Sequence, residues 1–173
     1  VALLTRGVTV TPAPLAGRPG EWLQPPTAPA RPGVVLYLHG GAYCVGSPAT
    51  HRGLTSRLAR DIGLPVFALD YRLAPEHPYP AALEDALAAA RALRDRGPLV
   101  IAGDSAGAGL ALAVTLALRD AGEPLPAAQL LISPWVDLDP ASLAARPQGD
   151  ALLDPAWPAA CAPLYAGPLP LSD

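Results

Sequence analysis

Four short apolar runs, VVLYL from Val34, VFAL from Val66, LVIA from Leu99 and QLLI from Gln129, return at a near-constant step of about 32 residues. Apolar residues fill consecutive positions within each run instead of alternating. That is the pattern of strands buried on both faces. The intervening segments carry helical spacing. Residues 51–61 lead into Gly63, residues 81–94 follow Pro80 with Leu83, Leu87 and Ala90 on one side, and residues 106–118 place Leu110, Ala113, Val114, Ala117 and Leu118 on one face. One strand plus one crossover helix accounts for the step, so the chain is expected to be α/β, with a mostly parallel sheet covered by helices on both faces.

The flanks differ. Residues 11–32 hold seven prolines and suit edge strands and turns, with VTV and EWLQ as the candidate strands. Residues 134–173 hold eight more, among Trp135, Trp157 and Tyr165, and suit irregular or short helical structure lying over the sheet. The division expected is one partial domain, with residues 1–33 as edge strands and loops, 34–133 as core βα units, and 134–173 as a loop-rich or cap segment. A hydrophobic fraction of 51% against 16% charged describes a globular chain. The net charge of -3, with no basic patch, gives no reason to expect nucleic acid or an anionic membrane as a partner. The longest uncharged apolar run, residues 105–118, is too short to span a bilayer, and VALLTRGVTV is not a signal peptide, so a soluble cytoplasmic protein is expected. Cys44 and Cys161 fit neither a disulfide framework nor a metal spacing and are expected to be free thiols.

The chemistry centres on GDSAG at residues 103–107. A serine between glycines, after an apolar strand and before a helix, matches a sharp turn that presents Ser105 Oγ above the sheet edge. The helix start then offers a positive end and the N–H of Ala106 to a developing oxyanion. YLHGGAYCVGS, from Tyr37, ends an earlier strand, and its adjacent Gly40 and Gly41 leave backbone N–H groups unobstructed for the same purpose.

Taken together, HGGAY at 39–43, DYRLAPEHPYP at 70–80, GDSAGAG at 103–109 and SPWVDL at 133–138 resemble the hormone-sensitive-lipase family of α/β-hydrolases, in its bacterial carboxylesterase group. The resemblance implies an α/β-hydrolase fold and hydrolysis of short- to medium-chain carboxylic esters through an acyl-enzyme, with no metal and no organic cofactor. It implies Ser105 as nucleophile and Gly40, Gly41 and Ala106 as the oxyanion hole. Ala42 stands at the third glycine of the family's HGGG. Around these, His39 is expected to hold its loop by hydrogen bonds. Arg72 and Glu76 form either a buried ion pair or an exposed surface. Asp104 either orients the elbow or caps the helix, and Trp135, Trp157 and Tyr165 either line a pocket or belong to the core.

In this family the triad runs Ser, Asp or Glu, His. Here His39, His51 and His77 all precede Ser105, and the six later aspartates do not stand in a recognisable acid motif. The resemblance stops before the last strands, and the helical cap would begin upstream of residue 1. Three alternatives stand: a piece of a longer esterase with acid and His downstream of residue 173, a non-catalytic small-molecule binder or remnant like the plant gibberellin receptors, or a base supplied in trans or by one of the three histidines.

Overall fold

The computed structural model describes residues 5, 7–139, 142, 154 and 156–169. The strands are β1 (Thr9–Pro12), β2 (Gly20–Gln24), β3 (Val34–Leu38), β4 (Val66–Leu69), β5 (Leu99–Asp104) and β6 (Ala128–Ile132). They form one sheet in the order β1-β2-β4-β3-β5-β6. The pairs β3 with β4, β3 with β5 and β5 with β6 are parallel, while β1 with β2 and β2 with β4 are antiparallel. The proline-rich flank therefore supplies the antiparallel edge, with VTV and EWLQ as strands.

Helix α1 (Pro48–Ile62) begins three residues earlier than its periodicity suggests. Ser47 and Thr50 make a reciprocal capping box and Pro48 occupies the first turn, where its missing N–H costs nothing. Gly63, at φ 69°, closes the helix in the left-handed conformation that glycine adopts without steric penalty. Helices α2 (Ala81–Leu93) and α3 (Ala106–Asp120) follow, and α4 (Ala156–Ala166) lies in the proline-rich tail.

The parallel strands divide their side chains between two cores. Val34, Leu36, Leu38, Phe67, Leu69 and Ile101 pack with the α2 and α3 residues Ala86, Ala90, Leu110 and Val114. Val35, Tyr37, Val66, Ala68 and Ala102 pack with Ala59 of α1 on the opposite face. Strands β3 and β4 are buried throughout, in keeping with their continuous apolar runs. QLLI departs from that expectation: β6 alternates between exposed and half-buried residues. It is the outer strand of this sheet, and only its α3-facing residues are covered. Leu131 packs on the larger core and Gln129 donates to the Ala111 carbonyl at 3.0 Å. Leu130 and Ile132, on the α1 side, remain 38% and 39% exposed because no described element reaches them.

Candidate active site

Parallel strands β3 and β5 are neighbours, so the loops leaving their C-terminal ends are adjacent. Ser105 stands between β5 and α3 at φ 50°, ψ -119°, a conformation costly for a residue with a side chain. Main-chain hydrogen bonds hold it there. Its N–H donates to the Ile132 carbonyl at 2.9 Å, and its carbonyl accepts from the N–H groups of Ala108 (3.1 Å), Gly109 (3.0 Å) and Trp135 (2.9 Å). The flanking glycines are required by space. A Cβ on Gly103 would stand 2.6 Å from the Gly107 backbone, and one on Gly107 would stand 2.5 Å from the His39 carbonyl oxygen and collide with that of Leu38. Ser105 itself is half-buried.

The facing loop is also held in unusual backbone conformations. Gly41, Ala42 and Tyr43 have φ of 128°, 51° and 61° in succession, and the Gly41 carbonyl accepts from the N–H groups of Cys44 and Val45, each at 3.0 Å. A side chain on Gly41 would strike the Val45 carbonyl, and one on Gly40 would strike the Asp104 carboxylate. This tight course leaves the N–H groups of Gly41 and Ala42 without an acceptor among the described residues. Those of Ala106 and Gly107, at the start of α3, are in the same state.

Gly40 departs from the expected arrangement. Its N–H donates to Asp104 Oδ1 at 2.9 Å, so it is committed to a carboxylate and is not available to an oxyanion. Ala42, which the sequence places at the third glycine of HGGG, is left out of the expected oxyanion hole. Its N–H is open, and the only signal for it was the third position of the HGGG pattern.

Asp104 joins the two loops. Oδ1 also accepts from Tyr37 Oη at 2.7 Å, and Oδ2 lies 3.3 Å from His51 Nε2 on α1. Burial works to raise the Asp104 carboxyl, but His51, Tyr37 and Gly40 outweigh it and hold the group below its ordinary value. The pairing with Asp104 raises His51 above its ordinary range. His39 behaves in the opposite way. It is buried, its Nδ1 is 2.8 Å from the Gly40 carbonyl, and its ring stacks on Tyr71 at 4.3 Å. Burial lowers its pKa, and because a carbonyl only accepts, Nδ1 carries the proton shared with Gly40. Tyr71 Oη in turn donates to the His39 carbonyl at 2.6 Å.

Arg72 and Glu76 do not pair. Arg72 binds Asp85 through contacts of 2.8 to 3.1 Å and reaches Glu84 at 3.1 Å, whereas Glu76 is exposed. The buried Asp85 also accepts from the Arg72 backbone N–H at 2.9 Å, and this pulls the guanidinium toward α2 and away from Glu76. Of the three aromatics, Trp135 and Tyr165 are buried and Trp157 is 41% exposed. Tyr43 stacks on Tyr165 at 3.7 Å and lies 6.0 Å from Trp135, so α4 and the segment after β6 together wall the loop. None of the three histidines makes a hydrogen bond to Ser105 among the described residues, and no group of metal-ligating side chains occurs among them.

A family model described as "alpha/beta hydrolase fold" matches residues 35–173. The chain is 52% identical over 142 residues to an acetyl-hydrolase of Streptomyces hygroscopicus, covering 79% of this chain and 47% of that protein. The crystal structure of EstE5 soaked with ethyl alcohol superposes with a TM-score of 0.88 at 41% identity, over 95% of this chain and 57% of that one. The crystal structure of an esterase from the bacterial hormone-sensitive lipase family gives 0.86 at 42% identity, over 94% and 57%. The chain thus spans about half the length of the curated relatives it matches.

Proposed function

Because the chain belongs to the α/β-hydrolase-fold family, in its hormone-sensitive-lipase branch, we propose that it carries the nucleophile and the anion-binding half of a carboxylic-ester hydrolase. The observation that carries this reading is Ser105 at φ 50° on a strand-to-helix turn, next to main-chain N–H groups on both adjoining loops that have no acceptor among the described residues. Ser105 Oγ attacks the ester carbonyl while a base takes its proton. The carbonyl π electrons move to oxygen, and the N–H groups of Ala106, Gly41 and Ala42 receive the oxyanion. Collapse of the tetrahedral species expels the alcohol with a proton and leaves acyl-Ser105, and water repeats the sequence to release the acid.

The base and its carboxylate are assigned to sequence outside these 173 residues, in keeping with relatives about twice as long. Substrates are small esters, the acetyl-hydrolase and esterase names of the relatives pointing to short acyl groups. No metal or organic cofactor enters this mechanism. No helix among the described residues is long and apolar enough to cross a membrane. The free thiols Cys44 and Cys161 suit a reducing compartment, and the reading places the enzyme in the cytoplasm.

The test is hydrolysis of p-nitrophenyl butyrate by the whole protein, together with labelling by a fluorophosphonate probe. Turnover and labelling that both vanish in Ser105→Ala support the reading, while labelling at any other residue defeats it. One observation favours a second reading, binding without turnover: no histidine among the described residues bonds to Ser105. Saturable ester binding with no hydrolysis by the whole protein would establish it.

A further inference from the structure

His51 stands on α1, outside the nucleophile turn and the facing loop, and its surroundings define its charge. Nε2 faces the Asp104 carboxylate at 3.3 Å. Nδ1 faces Thr50 Oγ1 at 2.9 Å and the Ser47 carbonyl at 3.4 Å. The Thr50 hydroxyl donates to the Ser47 carbonyl at 2.8 Å, and Thr50 Oγ1 accepts from Ser47 N–H at 3.0 Å. Both ring nitrogens therefore face acceptors, and only an imidazolium can donate to both. Loss of one proton would require the Thr50 hydroxyl to turn from the helix cap toward Nδ1.

The carboxylate that His51 faces is the one that binds Gly40 N–H. Gly40 is followed directly by Gly41 and Ala42, whose left-handed backbone leaves their N–H groups open. A chain of contacts thus runs from His51 through Asp104 and Gly40 to the anion-binding N–H groups. We infer that His51 is a positioning residue: as an imidazolium paired with Asp104, it holds that carboxylate against Gly40 and so sets where the N–H groups of Gly41 and Ala42 stand. This inference rests on the oxyanion role proposed for that loop.

The groups facing His51 agree with a single positive charge there. On β5 the facing group is Asp104, on β3 it is Tyr37 at a ring distance of 6.3 Å, and on the following loop it is His39 at 5.6 Å. The α1 start contributes only neutral oxygens. Of the two imidazoles, burial favours the uncharged form of His39, outweighing the Gly40 carbonyl contact that favours the charged one. Beyond it, Asp70 adds negative charge to the same region.

Two measurements test the inference. Long-range proton–nitrogen correlation on histidine-labelled protein, followed from pH 5 to 9, reads the ring nitrogens directly. The expected result is a His51 midpoint above the unperturbed value of about 6.5, both its nitrogens protonated at pH 6.5, and a Gly40 amide resonance that shifts with that same midpoint. A His51 midpoint at or below that of a free imidazole, or a Gly40 amide indifferent to it, overturns the inference. In the whole protein, His51→Gln is expected to lower kcat for p-nitrophenyl butyrate about fivefold with KM unchanged. The inference also expects activity to decline as pH rises past the His51 midpoint, and His51→Gln should remove that decline. An unchanged kcat and pH profile in a variant with the native circular dichroism overturns it as well. If the whole protein hydrolyses no ester, the proposed function fails while the titration still decides the state of His51. If His51→Gln does not fold, the titration of the unsubstituted protein carries the decision.

Discussion

Gly107→Ala is the sharpest test of the elbow geometry. The added Cβ would stand 2.5 Å from the His39 carbonyl oxygen and from the Leu38 carbonyl carbon, about 1 Å inside ordinary van der Waals contact. Both obstacles are main chain at the end of β3, which is hydrogen-bonded to β4 on one side and β5 on the other and cannot swing aside. Overpacking against so rigid a partner costs about 3 kcal/mol, at the top of its usual range. Alanine inside α3 returns about 1 kcal/mol through better helix propensity. The net loss is about 2 kcal/mol, which for a chain of this size lowers Tm by roughly 4 to 8 °C. Gly122→Ala serves as the control: nothing lies within 4 Å of its Cβ, so it isolates the cost of φ 66°, about 1 kcal/mol. Thermal and urea unfolding followed by circular dichroism measure both. A Gly107→Ala protein melting within 1 °C of the unsubstituted one would refute the close-approach argument. So would a Gly122→Ala protein that loses more.

Other outcomes follow from the charged network and the thiols. Asp85→Ala removes the buried carboxylate beneath Arg72; with Arg72 28% exposed, the expected loss is about 2 kcal/mol, whereas Glu76→Gln should leave urea unfolding unchanged. Tyr37→Phe deprives Asp104 of a 2.7 Å hydrogen bond and should cost about 1 kcal/mol, read from the same unfolding curves. The His51–Asp104 pair gives stability a window in pH. The raised His51 contributes fully below its ordinary 6.5 and loses that contribution as pH rises through its higher folded value. The lowered Asp104 contributes above 3.8 and loses it as pH falls through its lower folded value. Stability from this pair should therefore be greatest between those two ordinary values, and a profile of unfolding free energy against pH carried above 6.5 should lose its alkaline decline in His51→Gln. Burial pushes the Cys44 thiol up to about 12, so in the native state it should react with Ellman's reagent at pH 8 far more slowly than a small-molecule thiol.

The central strands and helices were legible in the sequence because their cause is local. Continuous apolar runs at Val34, Val66 and Leu99 mark strands that are buried on both faces, and Gly63 marks a helix end. The run at Gln129 has the same local character, but its surroundings decide its burial, and they leave Leu130 and Ile132 open. Within the site, GDSAG betrays Ser105 through the two positions that exclude a Cβ, a requirement written into the residue types themselves. Partner choice was not legible. Arg72 meets Asp85, 13 residues away on α2, instead of Glu76, 4 away, because Asp85 is buried and also binds the Arg72 main chain. Asp104 meets His51 and Tyr37 across 53 and 67 residues, separations that no periodicity reports. The commitment of Gly40 N–H to Asp104, which moves the open N–H groups one residue onward, depends on those same long-range pairings.

The ties that fix Ser105, from Ile132 to its N–H and from Ala108, Gly109 and Trp135 to its carbonyl, are all made by peptide groups. At Ile132, Ala108 and Trp135 another L-residue that keeps the peptide group in question leaves the tie in place, whereas a Cβ on Gly109 would strike the Trp135 carbonyl. Alanine at Ile132 or Trp135 would therefore leave the tie itself untouched, and removal of a donor, as in Trp135→Pro, would expose it. The same property separates two evolutionary pressures. Residues walling the site can be exchanged to suit a new ester while the serine keeps its place, because what anchors it is shared by every amino acid except proline.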